Sequence, residues 1–209
     1  MSNLLNLTAI KDAVVVDTPY PYFIVERSIK NECVSQVIHD FPPISEGGSF
    51  NLQDVEVAGS FKQLIHSLDT PEFRELVGEK FHVDVTELPM MVTLRGISRK
   101  KDGRIHTDSK TKILTILIYL NEAWVHETGL LRVLNNGDDL NDYVQQVVPG
   151  PGTMIGFKVT DNCWHGYESF DGVRRSIQIN FLTSEGASNK HRFFHGLSAK
   201  LKAFKRRLK

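Results

Sequence analysis

GRIHTDSKTKILTILIYL, residues 103–120, decides the fold. Its second half, ILTILIYL, is eight residues of Ile, Leu, Thr and Tyr with no Gly, Pro or charge. That is the composition and length of a buried strand. Its first half is a Gly-containing loop that delivers a His and an Asp, two apart, to the strand. Side chains two apart share a face of an extended chain, so His106 and Asp108 can reach one ion.

Outward from this segment the same pattern recurs. MMVTLRGI (90–97), GLLRVL (129–134), QQVVP (145–149), TMIGFKV (153–159), NCWHGYE (162–168) and RRSIQINFL (174–182) are short apolar or alternating runs. Turn signals such as Asn136-Gly137-Asp138 and Pro149-Gly150-Pro151-Gly152 divide them. With no helical crossover between them, these seven strands predict an antiparallel sandwich or barrel rather than a parallel α/β sheet.

The N-terminal part reads differently. SIKNECVSQVIHDF has Ile29, Cys33, Val34, Val37, Ile38 and Phe41 at helical spacing, with Ser28 as N-cap and Pro42-Pro43 as the stop. A short helix is expected around FKQLIHSL. Thr70-Pro71-Glu72 opens another with a cap, a first-turn Pro and an acid, and His82 ends it. Val14–Val16 and Tyr22–Val25 read as short strands. The last segment places Leu197, Leu201, Phe204 and Leu208 at helical spacing among Lys and Arg, which we read as a helix with a solvated basic face. The expected organisation is one domain over 1–209: helical support (1–88), a β core (89–185) and a basic C-terminal helix or tail (186–209).

Composition removes several classes of function. Lys plus Arg and Asp plus Glu balance at 25 each, so no net field argues for nucleic acid or an acidic membrane surface. MSNLLNLTAIKDAVVVD lacks a basic start before a long apolar core, and no run approaches the roughly 20 apolar residues that span a bilayer. Cys33 and Cys163 have no C-x-x-C spacing and are too few for a disulfide framework. A cytoplasmic protein with a small specific site is expected.

An H-x-D triplet is a weak signal, and His82-Val83-Asp84 is a second one. That pair follows a helix and precedes Glu87-Leu88-Pro89, with no buried strand to hold it. A non-haem iron site needs two His and one carboxylate on one face of the ion. The third ligand would come from another strand, and NCWHGYE supplies His165. His39, His66, His126, His191 and His195 read as surface or supporting groups.

If the open positions take a dicarboxylate such as 2-oxoglutarate, its far end needs a cation in fork geometry, which Arg supplies. RRSIQINFL alternates so that Arg174, Ser176, Gln178 and Asn180 share one face, while Arg175, Ile177, Ile179 and Phe181 share the other. The polar row makes sense as a pocket lining with Arg174 as its floor and Ser176 as an extra donor. One of the two adjacent arginines is expected to make a surface ion pair.

At this point the order HTD, LIYLNEAW, TGLLRVL, PGTMIGF, WHGYE, RRSIQINF, over roughly residues 89–183, resembles the iron(II)- and 2-oxoglutarate-dependent dioxygenases of the prolyl-4-hydroxylase-like branch. The resemblance implies a mainly β fold, a double-stranded β-helix (jelly-roll, cupin-like) core with flanking N-terminal helices. It implies that His106, Asp108 and His165 ligate Fe(II), that Arg174 pairs the distal carboxylate of 2-oxoglutarate, and that Tyr119 hydrogen-bonds the same group. The cosubstrates would be 2-oxoglutarate and O2, and the reaction a C–H hydroxylation that releases succinate and CO2. The substrate is a protein side chain or a small molecule, with neither membrane nor nucleic acid expected as a partner. Where relatives often have Gly-Gly, this chain has Thr128-Gly129. Trp164 is a candidate brace for His165, or ordinary packing. Arg95 and Arg104, near the loop into His106, read as solvated rather than as substrate contacts. Two other readings use the same fold: a cupin-type metal enzyme without 2-oxoglutarate, against which Arg174 and Tyr119 argue, and a non-catalytic binding module, which would not need the complete ligand set.

Overall fold

The computed structural model describes residues 3–183. The elements run α1 (Leu7–Asp12), β1 (Tyr22–Val25), α2 (Asn31–His39), β2 (Phe50–Asn51), a 3-10 turn (Leu52–Asp54), α3 (Gly59–Ser67), α4 (Pro71–Phe81) and β3 (Met90–Ser98). They continue as β4 (Lys112–Tyr119), β5 (Leu131–Leu134), β6 (Tyr143–Val147), β7 (Met154–Lys158), β8 (His165–Gly166) and β9 (Gly172–Leu182). A six-stranded sheet has the order β1-β7-β4-β9-β3-β2, and a three-stranded sheet the order β6-β5-β8. All named pairings are antiparallel.

The central strands have two apolar or polar rows that serve different layers. Leu94, Ile177 and Ile118 lie in register across β3, β9 and β4, as do Val92, Ile179 and Ile116. This face packs on Val37 and Ile38 of α2, Phe61 and Leu64 of α3, and Phe73, Val77 and Phe81 of α4. Burying each such aliphatic or aromatic side chain contributes about 1.5–3 kcal/mol, which holds the helices on one side of the sheet. On the opposite face Arg95, Ser176 and Tyr119 align, followed by Thr93, Gln178 and Leu117, then Met91, Asn180 and Thr115. A second apolar cluster joins Tyr119, Ile155 and Phe157 of the large sheet to Leu131, Val133 and Val147 of the small one. The architecture is therefore helices, large sheet, small sheet, and it is the predicted double-stranded β-helix.

The helix at 70–81 forms as the sequence predicts: the Thr70 hydroxyl accepts from the Phe73 N–H at 3.4 Å, with Pro71 in the first turn. Four expectations need correction. Ser28 does not cap α2, which starts at Asn31; its hydroxyl donates to the Gly152 carbonyl at 2.7 Å, tying the helical layer to the β6–β7 turn. Val14–Val16 is no strand; only Val16 bridges, to Tyr22. NCWHGYE keeps just two strand residues, because β8 pairs with β5 only at Arg132 and Val133 and on its other side makes a single isolated bridge. Arg175 makes no ion pair with a described residue; its guanidinium lies over the Phe41 ring, 5.7 Å from the centroid. The predicted C-terminal helix, with His191 and His195, lies outside the described residues. No described helix is long and apolar enough to cross a membrane.

Candidate metal centre and carboxylate pocket

His106 and His165 stand opposite each other in an isolated antiparallel bridge, exchanging both backbone hydrogen bonds at 3.0 Å. Residues paired in this way hold their side chains on one face, which puts the imidazole centroids 4.3 Å apart. Asp108, two residues on from His106, completes the cluster: one potential ligand atom from each residue lies within 4.8 Å of the others. Among the described residues no other group of three His, Cys, Asp or Glu converges this way.

The hydrogen bonds fix what each ligand can do. His165 Nδ1 lies 2.8 Å from the Cys163 carbonyl, and His106 Nδ1 lies 2.9 Å from the Arg104 carbonyl. A carbonyl only accepts, so Nδ1 carries a hydrogen in each ring and Nε2 is the nitrogen left to bind a metal. His165 is buried, and burial first, then the neighbouring His106, pushes its pKa down to about 4. It is therefore neutral, as a ligand must be. Asp108 takes a hydrogen bond from Lys112 Nζ at 2.8 Å on Oδ1 and one from the Thr115 hydroxyl on Oδ2. Burial alone would raise this carboxyl. Lys112, then His165 and the two hydrogen bonds, outweigh burial and hold it below the ordinary value of 3.8. Each carboxylate oxygen accepts at two positions, so a lone pair remains for an ion. Two imidazoles that can ligate through Nε2 and an ionised carboxylate are a donor set that suits ferrous iron.

His106 and His165, with Thr115 that bonds Asp108, border a cavity of about 280 Å³. His106, exposed, is at its open side. Arg174, Tyr119 and Ser176 line the other end, and all three are buried. Arg174 is held on three sides: Nε donates to the Gly129 carbonyl at 2.8 Å, Nη2 donates to the Tyr119 hydroxyl at 3.3 Å, and the Tyr167 ring stacks on the guanidinium 4.0 Å from its centroid. Because the Tyr119 oxygen accepts from Arg174, its own hydrogen is free to donate into the cavity. The arrangement offers one carboxylate a guanidinium, a phenol and, from Ser176, a hydroxyl.

The structure thus brings together the six site residues expected from the sequence. The Trp164 indole covers the turn at Gly137, where an added Cβ would sit 2.9 Å away, while the rings against His165 are His106 and, at 4.9 Å between centroids, Phe157. The rival pair is excluded by its own bonds. His82 is the left-handed residue ending α4, and Asp84 accepts from the Thr86 N–H and hydroxyl. Sequence reasoning missed Lys112 and Thr115 beside Asp108, and Tyr167 over Arg174. Once the resemblance has picked out Tyr119, strand alternation puts Thr115 on the same cavity face, which is the signal for that one.

The fold is shared with solved structures of low sequence identity. A prolyl-4-hydroxylase from Pseudomonas putida superposes with a TM-score of 0.60 at 15% identity, over 84% of this chain and 91% of that one. A viral collagen prolyl hydroxylase from Paramecium Bursaria Chlorella virus-1, solved as a 2OG complex, gives 0.54 at 14% identity, over 78% of this chain and 96% of that one. No curated protein matches the sequence. Residues 78–182, half of the chain, match the 2OG-Fe(II) oxygenase superfamily, and with the ligand triad and carboxylate pocket inside that span the chain belongs to it.

Proposed function

We propose that the chain is an iron(II)- and 2-oxoglutarate-dependent hydroxylase whose metal is held by His106, Asp108 and His165, with Arg174, Tyr119 and Ser176 taking the distal carboxylate of the cosubstrate. The observation that carries this reading is one cavity bordered both by two imidazoles of a three-ligand cluster and by a buried guanidinium that has no ion pair among the described residues. Iron(II), 2-oxoglutarate and O2 together supply the oxidising chemistry that hydroxylates a C–H bond and releases succinate and CO2.

The protein's part is placement. The imidazoles present Nε2 because backbone carbonyls hold Nδ1, and Lys112 with Thr115 orients the Asp108 carboxylate. Arg174 is pre-positioned by Gly129, Tyr119 and Tyr167, so little side-chain entropy is lost when a carboxylate arrives. Leu117 and Leu131 give the cavity an apolar wall between its two ends. We read residues 1–209 as one catalytic domain with helical support over 1–88, because the helices and the central strands share one apolar cluster. The unpaired Cys33 and Cys163 support a reducing, cytoplasmic location. The shared fold with prolyl hydroxylases supports a hydroxylase reading, with a protein side chain or small molecule as acceptor.

The test is anaerobic absorbance as iron(II) and then 2-oxoglutarate are added to the metal-free protein, with His106→Ala and Arg174→Ala alongside. A visible charge-transfer band that needs both additions, vanishes in His106→Ala and weakens in Arg174→Ala is expected. Iron binding without the band favours a cupin-type metal enzyme instead, and absence of iron binding overturns the ligand assignment.

A further inference from the structure

The cavity holds a second guanidinium that the oxygenase reading does not use. Arg95 sits on β3 directly opposite Ser176, which in turn lies opposite Tyr119, so the three form one row across β3, β9 and β4 on the cavity wall. Strand alternation places it there, on the face of Met91 and Thr93 and in unbroken register with β9. The register breaks just beyond it, between Arg95 and Ile97, where a Cβ at Gly96 would collide with the Ile44 carbonyl.

Arg95 is half-buried, yet no described residue makes a hydrogen bond or ion pair with its guanidinium, whereas Arg174 has two hydrogen-bond partners. The acid that lines this cavity is already committed: Asp102 is gripped by both Arg99 Nε and Nη2, at 3.1 and 3.0 Å. Lys101 and Arg104 line the same cavity at its exposed rim. In the loaded site Asp108 is matched by Lys112, and a dicarboxylate is matched by a dication. With Asp102 matched by Arg99 and Arg174 given to the cosubstrate, Arg95, Lys101 and Arg104 leave the cavity net positive, although the chain as a whole is neutral.

Resting on that oxygenase reading, we propose that the hydroxylated substrate is an acid, a carboxylate- or phosphate-bearing molecule or side chain, whose anionic group is received by Arg95 with Lys101 and Arg104 at the rim. A planar guanidinium offers either anion two parallel donors, and its low-dielectric surroundings strengthen the contact. A neutral substrate would leave Arg95 desolvated and unpaired, which discriminates against it.

Calorimetric titration of the full chain tests this, with manganese(II) as a redox-silent metal, 2-oxoglutarate as first titrant and inorganic phosphate or acetate as second. Phosphate or acetate is expected to bind the loaded protein, the tighter of the two naming the acid. Arg95→Met should weaken that binding about tenfold or more while 2-oxoglutarate affinity stays unchanged, and Arg95→Lys should restore part of it. Arg174→Met should do the reverse, weakening 2-oxoglutarate first. Anion binding that is absent, or indifferent to Arg95→Met, overturns the proposal. So does an Arg95→Met protein that loses 2-oxoglutarate as strongly as phosphate, since the guanidinium then serves the cosubstrate. If 2-oxoglutarate fails to bind while phosphate still binds through Arg95, the anion site stands and the oxygenase reading falls.

Discussion

Lys112 Nζ lies 2.8 Å from Asp108 Oδ1 in an ion pair almost closed to water, the two side chains being 10% and 6% exposed. A metal ligand is therefore neutralised by the protein's own cation before any ion arrives. The pair stabilises the metal-free fold, and the same ammonium opposes an incoming dication.

Those two roles separate in Lys112→Met. Removing one partner of a buried pair leaves the other charge uncompensated and costs about 3–5 kcal/mol, so the metal-free variant should unfold well below the parent protein. A divalent ion then supplies the missing positive charge, and the stabilisation on adding iron(II) anaerobically should be larger in the variant than in the parent. Thermal unfolding with and without metal reads both effects. An equal loss in the two conditions would show that Lys112 supports packing and not the charge of Asp108.

The depressed pKa of His165 gives the metal-free protein a definite pH response. Its folded value is about 4 against an ordinary 6.5, so between these limits the unfolded chain binds a proton that the folded one refuses. Stability therefore rises with pH across this window and falls as the solution is acidified through it, by on the order of 3 kcal/mol. Asp108, held below 3.8, contributes stability above its ordinary value and loses it only at lower pH, outside that window. Denaturant midpoints of chelator-treated protein should decline from pH 6.5 to 4, and His165→Gln should flatten the decline. A parallel slope in the variant would assign the titration elsewhere.

Tyr119→Phe isolates the carboxylate end of the cavity from the metal end. The hydroxyl accepts from Arg174 and makes no hydrogen bond to any of the three ligands. Its loss should weaken 2-oxoglutarate by about 1 kcal/mol, roughly fivefold, with metal affinity unchanged. Separate titrations of metal and cosubstrate check this, and a change in metal affinity would contradict the division of the cavity.

How much of this was legible beforehand depends on whether a contact follows from strand alternation. His106 with Asp108, and Arg174 with Ser176, share a face by the two-residue period, and the β-helix carries them to one cavity. Tyr119 came from the family resemblance, and the same alternation then explains its place beside Ser176. The Lys112 to Asp108 pair does not follow from any period, because the chain between them is a turn in which Lys112 N–H bonds the Ser109 carbonyl. Arg95 lies on the cavity wall and not in a solvated loop: it alternates with Met91 and Thr93 along β3 and pairs with Ser176, a placement hidden in the sequence by its nearness to the charged segment that leads into His106. The Ser28 misreading has a similar origin: a good capping residue bonded a distant carbonyl at Gly152, a contact created by packing.

The departure from Gly-Gly at Thr128-Gly129 is explained by the backbone, and it yields the sharpest single-residue test. Only Gly129 has a positive φ, +80°, and a Cβ there would lie 2.7 Å from the Trp124 ring; Thr128 needs no such freedom. Gly129 also donates its N–H to the Glu168 carbonyl and receives Arg174 Nε on its own carbonyl, so the turn aims the guanidinium. Gly129→Ala should cost roughly 1–3 kcal/mol through backbone strain and the Trp124 contact. Because the strain falls on the carbonyl that orients Arg174, 2-oxoglutarate should bind more weakly while the metal, held on other elements, should bind as before. A variant that is destabilised yet keeps full cosubstrate affinity would show that Tyr119 and Tyr167 suffice to place Arg174, and that Gly129 serves the turn alone.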